Sequence, residues 1–139
     1  MISPVFADAD RLECVVPCRL VNEKNVRDGH WGGRTRRARV QREAVALAVY
    51  HALGGRWRIA ADPARAKAVT LIAHVHNRFD SHDGLRAALS HVVDGLVDAR
   101  LIQDDADRHG HVFRYDQVID RQWRGVTISV SLLDSTRGG

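Results

Sequence analysis

Apolar and polar positions along this chain switch between a two-residue and a helical period several times. Residues 12–16 (L-E-C-V-V) form a brief β-like run, stopped by Pro17, which has no N–H to offer a ladder. Residues 68–76 alternate, with Val69, Leu71, Ala73 and Val75 on one side and Thr70, Ile72, His74 and His76 on the other. Residues 112–119 and 125–133 read as two further strands, the second alternating strongly. Between the strands lie two amphipathic helices. Val45, Val49 and Ala52/Leu53 supply the apolar stripe of one, which begins near Thr35 or Arg36, runs to Leu53 and is closed by Gly54-Gly55. Leu85, Leu89, Val92, Val93 and Leu96 supply the stripe of the other, over 83–99, with Ser81 or Asp80 as its N-cap. Residues 1–10 read as an irregular lead-in, 21–33 as a long polar loop carrying Trp31, and the tail from 134 should fray. The predicted order is β-α-β-α-β-β, an α/β (α+β) fold in which two main helices pack on a small mixed sheet.

Length and composition keep this within one domain spanning 1–139, with its core in about 12–133. An apolar fraction of 45% and a charged fraction of 27% exclude the disordered and collagen-like classes. No apolar run approaches the ~20 residues that cross a bilayer. Asp8 and Asp10 stand where a secretory leader would be basic and apolar, so a soluble, cytoplasmic protein is expected. Cys14 and Cys18 are the only cysteines. On one strand their Cα atoms would be roughly 13 Å apart, too far to bridge, so both are expected to be reduced and Cys14 to lie in the core. Trp57 and Trp123 are also expected in the core.

The formal charge is a modest +4, but its distribution is uneven. Lys24, Arg27, Arg34, Arg36, Arg37, Arg39 and Arg42 face only Asp28 within 24–42, while Asp80, Asp83, Asp94, Asp98, Asp104, Asp105 and Asp107 face only Arg86 and Arg100 within 80–107. Such segregation creates local fields that the net value hides. Arginines in the first turns of a helix oppose its dipole, so phosphate contact is the better account of Arg34, Arg36, Arg37, Arg39 and Arg42, with Trp31 ahead of them to stack on a base or simply to pack. Asp80 and Asp83 open the second helix and Asp104-Asp105 follow its end. Grouped carboxylates need a cation or an Arg/Lys partner to stay ionised, and Mg²⁺ is the usual resident of an all-oxygen group. Capping and a solvated turn account for the same residues without a metal. His74 and His76 share a strand face, a geometry zinc also uses, but no third His or Cys stands at a persuasive spacing. His91, Asp94 and Asp98 read as local pairs on the polar side of the helix.

The block F-D-S-H-D-G-L-R-A-A-L-S-H-V-V-D-G-L-V-D-A-R-L-I-Q-D-D resembles the RusA family of phage and prophage Holliday junction resolvases. There an acidic D-x-D-N-L enters a helix with a K-x-x-x-D-G/A-L segment and leads to a D-D pair. Asp83-Gly84-Leu85 matches the first motif, Asp94-Gly95-Leu96 the second, and Asp104-Asp105 the last. Pro17, Asn22, His30 and Trp31 ahead of the Arg-rich helix agree more loosely. The chain departs where Ser81 replaces the first Asp (Asp80 lies one position early), Gly84 the Asn and Ser90 the helix Lys. The resemblance implies an Mg²⁺-dependent endodeoxyribonuclease acting on branched DNA as a homodimer. Asp83 and Asp105 would be catalytic metal ligands, joined by Asp80 and Asp104, or by Ser81, His82 or water in place of Asp80. A RusA-like DNA-binding protein without catalysis, or a small interaction protein with zinc at His74 and His76, are the alternatives.

Overall fold

A computed structural model describes residues 6–7, 11–21, 32–54, 62–104, 106 and 109–133. In chain order the elements are β1 (Phe6–Ala7), β2 (Arg11–Pro17), α1 (Gly32–Leu53), β3 (Lys67–Val75), α2 (His82–Ala88), α3 (Ser90–Asp98), β4 (Val112–Ile119) and β5 (Gly125–Leu132). The expected α+β fold is present: a mixed five-stranded sheet in the order β1-β2-β5-β3-β4, with helices on one face. β5 inserts antiparallel between β2 and β3, placing Ile128 beside both Cys14 and Leu71. β3 and β4 are parallel, with Leu71 beside Tyr115, and a parallel pair requires a crossover, which α2 and α3 supply.

The alternation predicted for the strands is the one that fills the core. Leu12, Cys14 and Val16 of β2, Val69, Leu71, Ala73 and Val75 of β3, and Val126, Ile128 and Val130 of β5 are buried on one face. Val45, Val49, Ala52 and Leu53 of α1 and Leu85, Leu89, Val92, Val93 and Leu96 of α2 and α3 close over them. Both cysteines are free thiols. Trp123 is half-buried rather than a core residue, its ring edge-on to His74 at 4.9 Å between centroids. Trp57 lies outside the described residues.

Three boundaries differ from the pattern-based reading. Phe6–Ala7 pairs antiparallel with β2, so the lead-in is not wholly irregular. α1 starts at Gly32, ahead of the predicted Thr35. The second helix is two helices, broken at Leu89, whose φ of −96° and ψ of 1° leave the helical region. Ser90 Oγ donates to Ala87 O at 2.8 Å, a local side-chain bond that competes with the regular ladder and bends helices. The apolar stripe survives the break because Leu85, Leu89 and Val92 still face the core.

α1 and α3 pack closely at Gly95. A Cβ there would meet Val45 Cβ at 2.6 Å and Arg42 O at 3.2 Å. The Gly of the second D-G-L thus has a packing reason of its own. α3 ends in a Schellman turn: Arg100 N–H donates to Val97 O and Leu101 N–H to Leu96 O. The left-handed position is filled by Arg100, at φ 64°.

Candidate functional site

Ser81 is the N-cap of α2, its hydroxyl accepting from Gly84 N–H at 2.9 Å. The residue standing where the family pattern has an acid therefore serves the helix terminus. Asp80 is exposed just ahead of the cap. Asp83 is exposed in the first turn, where the helix dipole favours a carboxylate. From there one helix face runs through Arg86, Ala87, Ser90, Val93 and Asp94, lining a cavity of about 330 Å³ closed on the far side by Tyr115 of β4. The Arg86 guanidinium sits 5.4 Å from the centre of the Tyr115 ring, within cation–π range, and the His82 ring meets the same tyrosine edge-on at 6.1 Å. The cavity therefore joins two carboxylates and a guanidinium held on an aromatic face. Eleven residues of helix at about 1.5 Å each set these two carboxylates roughly 16 Å apart, beyond what one ion at about 2.1 Å per ligand can bridge. Each therefore faces the cavity from its own end, and the arginine between them suits a phosphate oxygen.

Sequence reasoning did not single out Arg86, Asp94 or Tyr115 for this site. The first two had a readable signal, because 83, 86, 87, 90 and 94 follow the i, i+3, i+4, i+7, i+11 spacing of one helix face. Tyr115 had none, since it arrives through the parallel register of β4 on β3.

Asp104 is engaged locally. Its Oδ1 accepts from Ala106 N–H at 2.8 Å and lies 3.0 Å from His109 Nε2. His111 stands beside His109, 6.0 Å between ring centres, and its Nδ1 accepts from Lys67 N–H at 3.1 Å. Burial, then the Lys67 charge, push the His111 imidazole below its usual range. Asp105 lies outside the described residues, as does Trp31. Among the described residues, no three His, Cys, Asp or Glu side chains group as a metal cage would. The structure thus sets Asp83 and Asp94 at the two ends of one cavity, while Asp80 and Asp104 are not among the residues lining it.

The basic helix divides. Arg36 and Arg39 are exposed and Arg37 is half-buried, whereas the side chain of Arg34 lies outside what is described. Arg42 makes a two-pronged ion pair with Asp98, Nε to Oδ2 at 2.8 Å and an η nitrogen to Oδ1 at 2.7 Å. That bond raises the Arg42 pKa and lowers that of Asp98. Arg42 clamps α1 onto α3, and among the described side chains of the group Arg36 and Arg39 are the exposed cations.

His74 and His76 have partners other than each other. His74 Nε2 lies 2.7 Å from Thr127 Oγ1 and its Nδ1 3.7 Å from Asp120 Oδ2. His76 Nδ1 accepts from Arg124 at 2.8 Å. His91 is buried, with Nδ1 3.9 Å from Asp94 Oδ2.

No protein-family model matches this sequence, and no curated protein is significantly similar to it. Among the described residues, no helix is long and apolar enough to cross a membrane.

Proposed function

We propose that this chain is a magnesium-dependent endodeoxyribonuclease of the RusA type that cuts branched DNA, with the four-way junction as substrate. The observation that carries the reading is the cavity that runs from Asp83, in the first turn of the helix bearing the family-like motifs, past Arg86 and Tyr115 to Asp94. The donor set fits magnesium, which needs only one or two carboxylates and takes water and phosphate oxygens for the rest. Asp83 would hold it, with Asp105, and with Asp80 or Asp104 through water, while Asp94, about three helical turns further on, would stand off the ion. When bound, magnesium supplies Lewis-acid polarisation of the scissile phosphate and activation of the attacking water. Arg86, steadied on Tyr115, would hold a non-bridging phosphate oxygen. Arg36 and Arg39 would contact flanking phosphates without reading sequence. A two-fold junction is best served by a homodimer, in the cytoplasm of a bacterial or phage-infected cell.

The test is cleavage of an end-labelled synthetic four-way junction in Mg²⁺ or Mn²⁺. Nicking by the wild type, lost in Asp83→Asn, is the expected result. A second reading is favoured by Ser81 as a cap and Ser90 in place of the helix Lys: a RusA-like protein that binds junctions without cutting them. Salt-dependent junction binding with no nicking in either metal would establish that reading over the first. Absence of both binding and nicking would remove both and leave a small interaction protein.

A further inference from the structure

The sheet register gathers a second set of basic side chains at the end opposite the start of β5's partners. Pro17 and His74 both pair with Gly125. Arg19, just beyond β2, Arg124, just ahead of β5, and His74 and His76 at the close of β3 therefore converge from segments far apart in the chain. Together they line a cavity of about 220 Å³, with Leu20 and Phe79 as apolar walls. None of these residues lines the carboxylate cavity.

The walls are held in place. Gln41 Nε2 donates to Arg19 O at 2.6 Å. Phe79 exchanges two bonds with the Gln117 amide, N–H to Oε1 at 2.8 Å and Nε2 to its own carbonyl at 3.1 Å. Trp123 and Thr127 fix the His74 ring, and Arg124 is steadied by its bond to His76 Nδ1. That bond has a chemical consequence. A guanidinium donates only, so Nδ1 accepts and the ring proton sits on Nε2, a further donor. The imidazole takes none of the arginine's charge, unlike a carboxylate. Among the described residues lining the cavity there is no Asp or Glu; the nearby Asp120 carboxylate lies 3.7 Å from His74 Nδ1 and accepts from the Gln122 and Trp123 N–H groups.

We propose that this cavity binds a phosphoryl group. A carboxylate's two oxygens are satisfied by one arginine fork, whereas two forks and an imidazole N–H from three segments suit a tetrahedral group with three or more acceptor oxygens. The phosphoryl group belongs either to a free monoester or to a nucleic-acid backbone. The proposal does not depend on the nuclease reading, because its test uses neither metal nor cleavage.

The full chain is titrated calorimetrically, in EDTA and low salt, with inorganic phosphate, with adenosine monophosphate, with acetate and with a single-stranded oligonucleotide. Saturable phosphate binding is expected, weakened by about tenfold or more in Arg19→Gln and in Arg124→Gln. Both arginines are exposed, and circular dichroism confirms that each variant folds. Arg124→Lys, which keeps the charge and loses the fork, should fall between. Competition of the oligonucleotide with phosphate identifies the backbone as the source, and tighter binding of the mononucleotide identifies a monoester. Acetate binding as tightly as phosphate, phosphate binding unchanged in both Gln variants, or no saturable binding at all would overturn the assignment.

Discussion

Two positions carry residue-scale strain that experiment can read. Arg100 occupies a left-handed position that a side chain with a Cβ enters only at a cost, while its Schellman bonds use backbone alone. Arg100→Gly should therefore raise stability by about 0.5–1 kcal/mol, after the entropy that glycine adds to the unfolded chain, as measured by urea unfolding. Lys67 is fully buried, its ammonium donating to Asp62 O at 2.9 Å and Arg65 O at 3.0 Å. Burial pushes its pKa down to about 8 from 10.5. Between those values the unfolded chain binds the extra proton, so stability rises with pH across that window. Burial has the opposite consequence for the cysteines. Cys14 is pushed up to about 12 and Cys18 to about 11, from 9.0, so above pH 9 the unfolded chain sheds protons that the fold retains, and stability falls. Lys67 thus contributes a gain of about 1 kcal/mol between pH 8 and 9, most of which the two thiols, half ionised in the unfolded chain by pH 9, offset. Lys67→Met should leave the thiols alone to act, so that stability falls from pH 8 to 9 in unfolding curves where the wild type stays nearly level; a variant with the wild-type profile would show that another group titrates there.

Elements were largely legible because each is specified by its own local pattern. The alternation in β3 and β5 and the stripe Val45, Val49, Leu53 reproduce the buried faces, and Gly54 closes α1 at φ 55° as a C-terminal glycine should. The break at Leu89 escaped because the apolar stripe crosses it without interruption, and only the bond from Ser90 to Ala87 O marks it. Gly95 was read as part of a motif, and its physical reason is the approach of α1. Substituting alanine gains about 1 kcal/mol of helix propensity but drives a methyl into Val45, whose Cβ is fixed to the backbone and cannot swing away. The overpacking term is larger, so Gly95→Ala should be destabilising by about 1–2 kcal/mol net in denaturant unfolding. A stabilised variant would mean that α1 and α3 separate more easily than their packing implies. The Arg42–Asp98 clamp lies on the same contact, and it shows why a charge run alone did not reveal which arginines face outward: the partner carboxylate is 56 residues away in the chain.

At the scale of the whole molecule, what the sequence withheld is pairing order. Nothing local says that β5 enters between β2 and β3, or that β4 runs parallel to β3 and brings Tyr115 over the helix face. The carboxylates consequently separate: Asp83 and Asp94 stand about three helical turns apart along one cavity, whereas Asp104 turns to His109. The nuclease proposal therefore makes a demand that is independent of any DNA. A cation bound only by the folded chain stabilises it by RT ln(1 + [L]/Kd), about 1.4 kcal/mol at roughly ten times Kd, which for a domain of this size moves the melting temperature by about 5 °C. Millimolar Mg²⁺ should raise the wild-type midpoint by that order, and EDTA should reverse it. The double variant Asp83→Asn with Asp94→Asn should fold, since both side chains reach solvent, and should not respond to the metal. Equal Mg²⁺ shifts in the wild type and the double variant would place the cation elsewhere, and the absence of a shift in both would leave the two carboxylates as a polar helix face held in check by Arg86.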